Sequence, residues 1–169
     1  GNNNVALILG DNFFYGQSLT KKLEKSSTHK TGVKIFLKEV TEPENYGVAK
    51  IKKNKIEKII EKPKKFVSKN AITGLYFFDK NVSKLSSKLK KSKRGELEII
   101  DLINKYKKNN KLSADIIGRG GAWLDTGSIE DFYKTSAFVS AIENRQGFKI
   151  ACLEEIALNK KWISKKNIL

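Results

Sequence analysis

Residues Val5–Gly16 read VALILGDNFFYG. Five apolar residues, Val5 to Leu9, run straight into Gly10-Asp11-Asn12. A short unbroken apolar run closed by turn residues predicts a buried strand of a parallel sheet. Asp11 then falls at the carboxyl end of that strand, where open α/β sheets bind ligands. A carboxylate there suits a hard cation such as Mg²⁺, which takes one or two carboxylates plus substrate phosphates. An aspartate in that place also caps ordinary turns. What tilts the reading is a second apolar-flanked aspartate, Asp125 in AWLDTG (Ala122–Gly127), and the sequence between the two.

Composition narrows the function classes. The chain has 169 residues, one histidine, one cysteine, two prolines and no methionine. That length predicts one domain with a real core. Cys152 alone cannot build a disulfide framework and fits a reducing compartment. With His29 as the sole histidine, the usual Cys/His zinc sites are excluded by count. No run of 18 apolar residues occurs, so neither a transmembrane helix nor a signal peptide is expected. The net charge of +16 invites a nucleic-acid reading. It is written as 31 lysines spread along the chain and only three arginines, with no aromatic-interleaved basic stripe. Base and phosphate recognition leans on arginine forks, so no nucleic-acid partner is expected. Arg94, Arg119 and Arg145, kept in so lysine-rich a chain, are candidates for bidentate anion binding or for chance. Because the chain lacks methionine and opens at GNNN just before a strand, it reads as the downstream part of a longer protein.

Along the chain, Phe13-Phe14-Tyr15 is expected in a loop, Gln17–Lys25 in a short helix and Gly32–Val40 in a strand. Val48–Lys52 and Ile56–Lys62 flank Lys53-Asn54-Lys55 as a hairpin. Pro63 biases Lys62 towards extended backbone. Ala71–Phe78 (AITGLYFF) is apolar on both faces and reads as a central strand, with Gly74 marking a bulge or a close approach to the backbone. Val82–Leu89 and Arg94–Lys107 read as helices, and Leu112–Gly118 as a strand. Ser128 and Asp131 resemble a capping box opening a helix to about Glu143. Lys149–Ala151 reads as a brief strand and Leu153–Lys160 as a helix. Alternating strands and helices with one hairpin predict an α/β protein with a mostly parallel sheet.

Six motifs stand in register: LGDN (Leu9–Asn12), YGV (Tyr46–Val48), EKP (Glu61–Pro63), TGLYFFD (Thr73–Asp79), RGELEIID (Arg94–Asp101) and WLDTG (Trp123–Gly127). In that order they resemble the glucose-1-phosphate thymidylyltransferases of the nucleotidylyltransferase superfamily, and the likeness continues into ENRQGFKIACLEEIA (Glu143–Ala157). The resemblance implies a three-layer α/β/α Rossmann-like nucleotide-diphospho-sugar transferase fold with a mixed, mostly parallel sheet. Residues 1–169 would form the carboxyl-terminal part of one domain: a sugar-phosphate-binding half, then oligomerisation and regulatory helices. It implies Mg²⁺-dependent transfer of dTMP from dTTP to α-D-glucose 1-phosphate, giving dTDP-glucose and pyrophosphate at the start of dTDP-L-rhamnose or deoxysugar synthesis.

The site residues follow from the same resemblance. Asp11 and Asp125 would hold the metal and, with Lys62, form the catalytic set. Asn12, Tyr46, Gly47, Glu61, Lys62, Ile72, Thr73 and Trp123 would bind substrate. Tyr15, Gly16, Arg119 and Arg145 would belong to a regulatory nucleotide site. A cytoplasmic homotetramer is implied. The family's amino-terminal G-x-G-T-R-L loop has no counterpart in these 169 residues. Without that backbone cradle for the triphosphate, no turnover is expected from the chain by itself. The alternatives are a truncated, non-catalytic sugar-nucleotide-binding or assembly module, or a related uridylyl- or cytidylyltransferase.

Overall fold

The computed structural model describes residues 3–92 and 94–167. The chain forms two compact units, Gly1–Leu124 and Asp125–Leu169. No helix among the described residues is long and apolar enough to cross a membrane.

The first unit is built on the strand that AITGLYFF predicts. The strands are β1 (Val5–Ile8), β2 (Asn12–Gly16), β3 (Val33–Glu39), β4 (Val48–Lys52), β5 (Lys55–Ile60), β6 (Asn70–Phe78), β7 (Leu112–Ile117) and β8 (Gly121–Asp125). The helices of this unit are α1 (Leu19–Ser27), α2 (Val82–Ser86) and α3 (Ile99–Lys108). The main sheet runs β5-β4-β6-β3-β7, with β1 also paired to β6. β3 takes one edge of β6 along most of its length, from Val33↔Phe78 to Glu39↔Asn70. The other edge is divided: β1 pairs with Leu75–Phe78, and β4 meets β6 at Ala71. Between them lies Gly74.

Alternation along β3 sends side chains to two faces. Val33, Ile35 and Leu37 join Ile72, Tyr76, Phe78 and the buried stripe of α3: Ile100, Leu102, Ile103 and Tyr106. Phe36 on the opposite face packs with Leu75, Ile117, Phe14 of β2, Leu23 of α1 and Trp123 of β8. The sheet is therefore covered on both sides, as the α/β fold class requires. Asp79, only 2% exposed, fastens the end of β6. Its carboxylate accepts from Gly32 N at 2.7 Å, Asn81 N at 2.9 Å and the Tyr106 hydroxyl at 2.9 Å. Lys53 and Asn54 both have positive φ, the left-handed pair that a two-residue hairpin turn needs.

Several expectations are corrected. The main sheet is mixed, but among its described pairs only β3–β7 is parallel; β1–β6, β3–β6, β4–β5 and β4–β6 are antiparallel. The path from β3 through the hairpin to β6 carries no crossover helix, and parallel pairing needs one. β1 is not buried: Val5, Leu7, Ile8 and Leu9 are 36–55% exposed, so side chains on both faces of this stretch stay open. Phe13–Tyr15 is not loop but part of β2, whose partner β8 lies more than a hundred residues on. Arg94–Glu98 precedes α3 instead of opening it. α2 stops at Ser86, short of Leu89. Lys62 has a φ of +37°, so Pro63 does not hold it extended.

The second unit is helical: α4 (Ile129–Gln146) and α5 (Leu153–Asn159). Ser128 caps α4 as expected, its Oγ accepting from Asp131 N at 3.1 Å and donating to Asp131 Oδ2 at 2.6 Å. Gly147 ends α4 in the left-handed conformation, φ +71°. Lys149–Ala151 is no strand; it turns at Ala151, φ +52°.

Candidate active site

The division of β6's edge creates the site. Where β1 leaves and β4 has not yet arrived, Leu9 N donates to Gly74 O at 2.9 Å. The chain then turns at Asp11 and sends the side chain of Asn12 into the gap. Asn12 Oδ1 accepts from Gly74 N at 2.9 Å and from Trp123 Nε1 at 2.6 Å. Its Nδ2 donates to Asp11 Oδ1 at 2.7 Å. A Cβ at Gly74 would lie 2.6 Å from Asn12 Oδ1, so the close approach foreseen at this glycine is Asn12 itself.

Tyr46, Gly47, Glu61 and Lys62 are gathered on the β4 side of the same gap. Gly47 O accepts from Ile72 N of β6 at 2.7 Å, and Tyr46 O accepts from Lys62 N at 3.1 Å. The first bond ties the Y-G pair to β6; the second locks it to the E-K pair fifteen positions on. Tyr46 meets the Trp123 ring edge-on, centroids 5.0 Å apart, which joins this side to Asn12. A Cβ on Gly47 would lie 2.8 Å from Ile100 Cδ1 and 3.0 Å from Glu61 Oε2, so only glycine lets the Glu61 carboxylate sit there. Burial pushes the Glu61 carboxyl above the usual carboxylate range and Glu98 pushes the same way, while Lys62 and Arg94 pull it down. The half-buried carboxylate is thus a polar group turned towards a partly desolvated space. Glu98 and Arg94 belong to RGELEIID, a motif visible in the sequence without any hint of this neighbour.

The remaining candidates are placed as follows. Ile72 is buried in the core beside α3 and touches the site through its backbone. Thr73 is fully buried, its hydroxyl donating to Phe36 O at 3.1 Å within the sheet. Asp125 is the first residue of the second unit, where its Oδ1 accepts from Gly127 N at 3.1 Å. Among the described residues no group of three or more His, Cys, Asp or Glu side chains is placed to hold a metal ion. A Mg²⁺ ion completed by substrate phosphates does not need one. Asp11, a hard oxygen donor at a strand's carboxyl end, has the right donor chemistry for that ion.

The nucleotidyl transferase family model matches residues 1–142. The chain belongs to that family. A glucose-1-phosphate thymidylyltransferase of Neisseria gonorrhoeae is 46% identical over 169 residues, covering 99% of this chain and 59% of the relative. Its counterpart in Neisseria meningitidis is 44% identical over the same shares. This nucleotidyl transferase chain thus spans about three-fifths of the length of those curated relatives. Among solved structures, a Bacillus anthracis protein assigned as a glucose-1-phosphate thymidylyltransferase, crystallised with sucrose, superposes with a TM-score of 0.72 at 38% identity, covering 82% of this chain and 55% of that one. A UDP-glucose pyrophosphorylase complexed with UDP-glucose shares the fold, with a TM-score of 0.66 at 24% identity, over 81% and 56% of the two chains.

Away from this gap, Tyr15 and Gly16 line a hollow of about 180 Å³ with Gly118, Gly120 and Gly121. Arg119 lies exposed in that glycine loop. Lys38, which the sequence did not single out, holds the loop closed: its Nζ donates to Gly118 O at 2.9 Å and to Gly121 O at 2.7 Å. Arg145 is exposed near the carboxyl end of α4 in the second unit, where a cation complements the helix dipole.

Proposed function

We propose that the whole protein is a glucose-1-phosphate thymidylyltransferase. A phosphate oxygen of glucose 1-phosphate attacks the α-phosphorus of dTTP, one P–O bond forms, and the bond to the β-phosphate breaks to release pyrophosphate. The observation that carries this reading is the locking of Tyr46-Gly47 against Glu61-Lys62 beside the Asn12–Asp11 turn. The thymidylyltransferase relatives at 44–46% identity support it.

Little covalent chemistry falls to the protein in such a transfer; positioning and charge stabilisation do most of the work. Glu61 accepts hydrogen bonds from sugar hydroxyls, and Gly47 leaves room for it. A site built to bond two hydroxyls rejects a sugar lacking them. Lys62 holds the sugar phosphate as a point charge. Tyr46 and Trp123 supply an aromatic corner against the sugar face. Asp11 and Asp125 are the residues that would hold Mg²⁺, which would supply charge neutralisation at the phosphates. Tyr15, Gly16, Arg119 and Arg145 serve a regulatory nucleotide site, in a cytoplasmic homotetramer that opens a dTDP-sugar pathway.

The test is calorimetric titration of glucose 1-phosphate into wild-type protein and Lys62→Ala. A lost charged contact is worth about 1.5–3 kcal/mol, so affinity should fall roughly tenfold to a hundredfold. Equal affinity in the two proteins would remove Lys62 from the sugar-phosphate site. A wild-type protein that ignores glucose 1-phosphate and binds only another sugar phosphate would assign it to a different transferase.

A further inference from the structure

We propose that Asn12 is a positioning residue that sets the Asp11 carboxylate and the Trp123 indole as one unit against the backbone of β6. The inference rests on the functional reading above, in which Asp11 serves the metal and Tyr46 the sugar, and it goes beyond a substrate contact for Asn12. Its basis is the chemistry of the three partners. Gly74 N–H and Trp123 Nε1–H are donors only, so the amide oxygen must face them. That leaves Nδ2 turned to Asp11 Oδ1, an acceptor when ionised. No flipped amide satisfies all three, so the orientation is fixed by its neighbours.

The arrangement joins parts that sequence keeps far apart. Asp11 follows β1, Gly74 is in the middle of β6, and Trp123 is in β8, 111 residues from Asn12. Trp123 in turn meets Tyr46 edge-on at 5.0 Å. One amide therefore connects the candidate metal ligand to the aromatic corner of the sugar side. The amide oxygen is occupied twice and the amide nitrogen once, which suits a brace better than a group presented to substrate. Gly74 is the complementary half of the device. The three atoms nearest to a Cβ placed there are Asn12 Oδ1, Cγ and Nδ2, at 2.6, 2.7 and 2.9 Å. Gly74→Ala would thus displace the Asn12 amide without altering Asn12.

The experiment compares steady-state kinetics and the indole N–H resonances of the whole protein in wild type, Asn12→Ala and Gly74→Ala. Trp123 and Trp162 are the two indoles, and Trp123→Phe assigns the signals. Loss of a hydrogen bond to an ionised group predicts a kcat lower by roughly tenfold to a hundredfold in both variants. KM for glucose 1-phosphate should rise by a smaller factor than kcat falls, since a loss carried mainly by kcat marks an interaction realised in the transition state. The Trp123 N–H signal should move upfield and exchange faster in both. A raised KM with kcat retained would make Asn12 a substrate contact and overturn the proposal. So would an unmoved Trp123 signal in Asn12→Ala. Wild-type protein without turnover would instead refute the thymidylyltransferase reading. The brace would then be judged by the indole signal alone, standing if it moves and failing if it does not. If Asn12→Ala fails to fold, Gly74→Ala carries the same two readouts.

Discussion

Replacing Lys62 by glycine should make the protein more stable while weakening its hold on the sugar phosphate. Lys62 has a φ of +37°, in the region L side chains avoid. The strain is held from both sides: Lys62 N donates to Tyr46 O at 3.1 Å, and Pro63 follows, buried. Left-handed backbone costs a residue with a Cβ about 1–2 kcal/mol. Glycine removes that cost but returns about 0.4–1 kcal/mol through the greater freedom of the unfolded chain. The balance favours glycine over alanine at this position by about 0.5–1 kcal/mol. For a protein of this size that is a rise in Tm of about 1–4 °C. Lys62→Ala is the proper reference, because both variants lose the ammonium group and differ only in backbone freedom. Thermal and urea unfolding read the stability, and titration with glucose 1-phosphate reads the affinity. The reasoning requires both variants to lose affinity alike, with the glycine variant the more stable. A glycine variant no more stable than the alanine variant would refute the claim that strain is stored at this residue.

Three further outcomes are expected. Burial raises the carboxyl of Asp79, but hydrogen bonds from Gly32, Asn81 and Tyr106 outweigh it and hold the pKa below the ordinary value. Its stabilisation is therefore present above the unfolded carboxylate pKa and lost as pH falls through the folded one; Asp79→Ala should cost about 2–3 kcal/mol at pH 7, and a gap from wild type that did not narrow in acid unfolding would contradict this. Glu61 has the opposite sign: raised chiefly by burial, with Glu98 adding, it loses stability as pH rises through its folded pKa. Glu61→Gln should then be at least as stable as wild type at pH 7, with a smaller difference at pH 4, while sugar affinity falls; lower stability at pH 7 would contradict it. Lys38→Met removes both ties to the Gly118–Gly121 loop, so trypsin should cut after Arg119 at least several-fold faster, and an unchanged rate would show the loop is held by other contacts.

Local pattern in the sequence was a good guide where local chemistry decides. The apolar character of AITGLYFF marked the central strand, Lys53-Asn54-Lys55 the hairpin, Gly74 a bulge or a close approach (it is the latter) and Ser128 a helix cap. It failed where the deciding partner is distant. Phe13–Tyr15 looked like loop because β8 is remote in sequence. Val5–Leu9 looked buried because an apolar run records what a strand can bury, not what covers its faces. The direction of β6 relative to β3 depends on the connection between them, which periodicity does not report. At the site, the structure joins Tyr46 to Lys62 and Gly47 to Ile72 through backbone hydrogen bonds, contacts that no local pattern announces. The contacts of Asn12 with Trp123, of Lys38 with Gly118 and of Glu98 with Glu61 were illegible because the partners lie at least 37 positions apart.

Formation of dTDP-glucose is the decisive measurement. Whole protein is incubated with dTTP, glucose 1-phosphate and Mg²⁺, and both the sugar nucleotide and pyrophosphate are measured, in wild type and in Asp11→Asn. Wild type should give the two products in equal amounts, and Asp11→Asn should abolish both. Wild-type protein that forms neither product, or an Asp11→Asn variant that forms them at the wild-type rate, would contradict the proposed function.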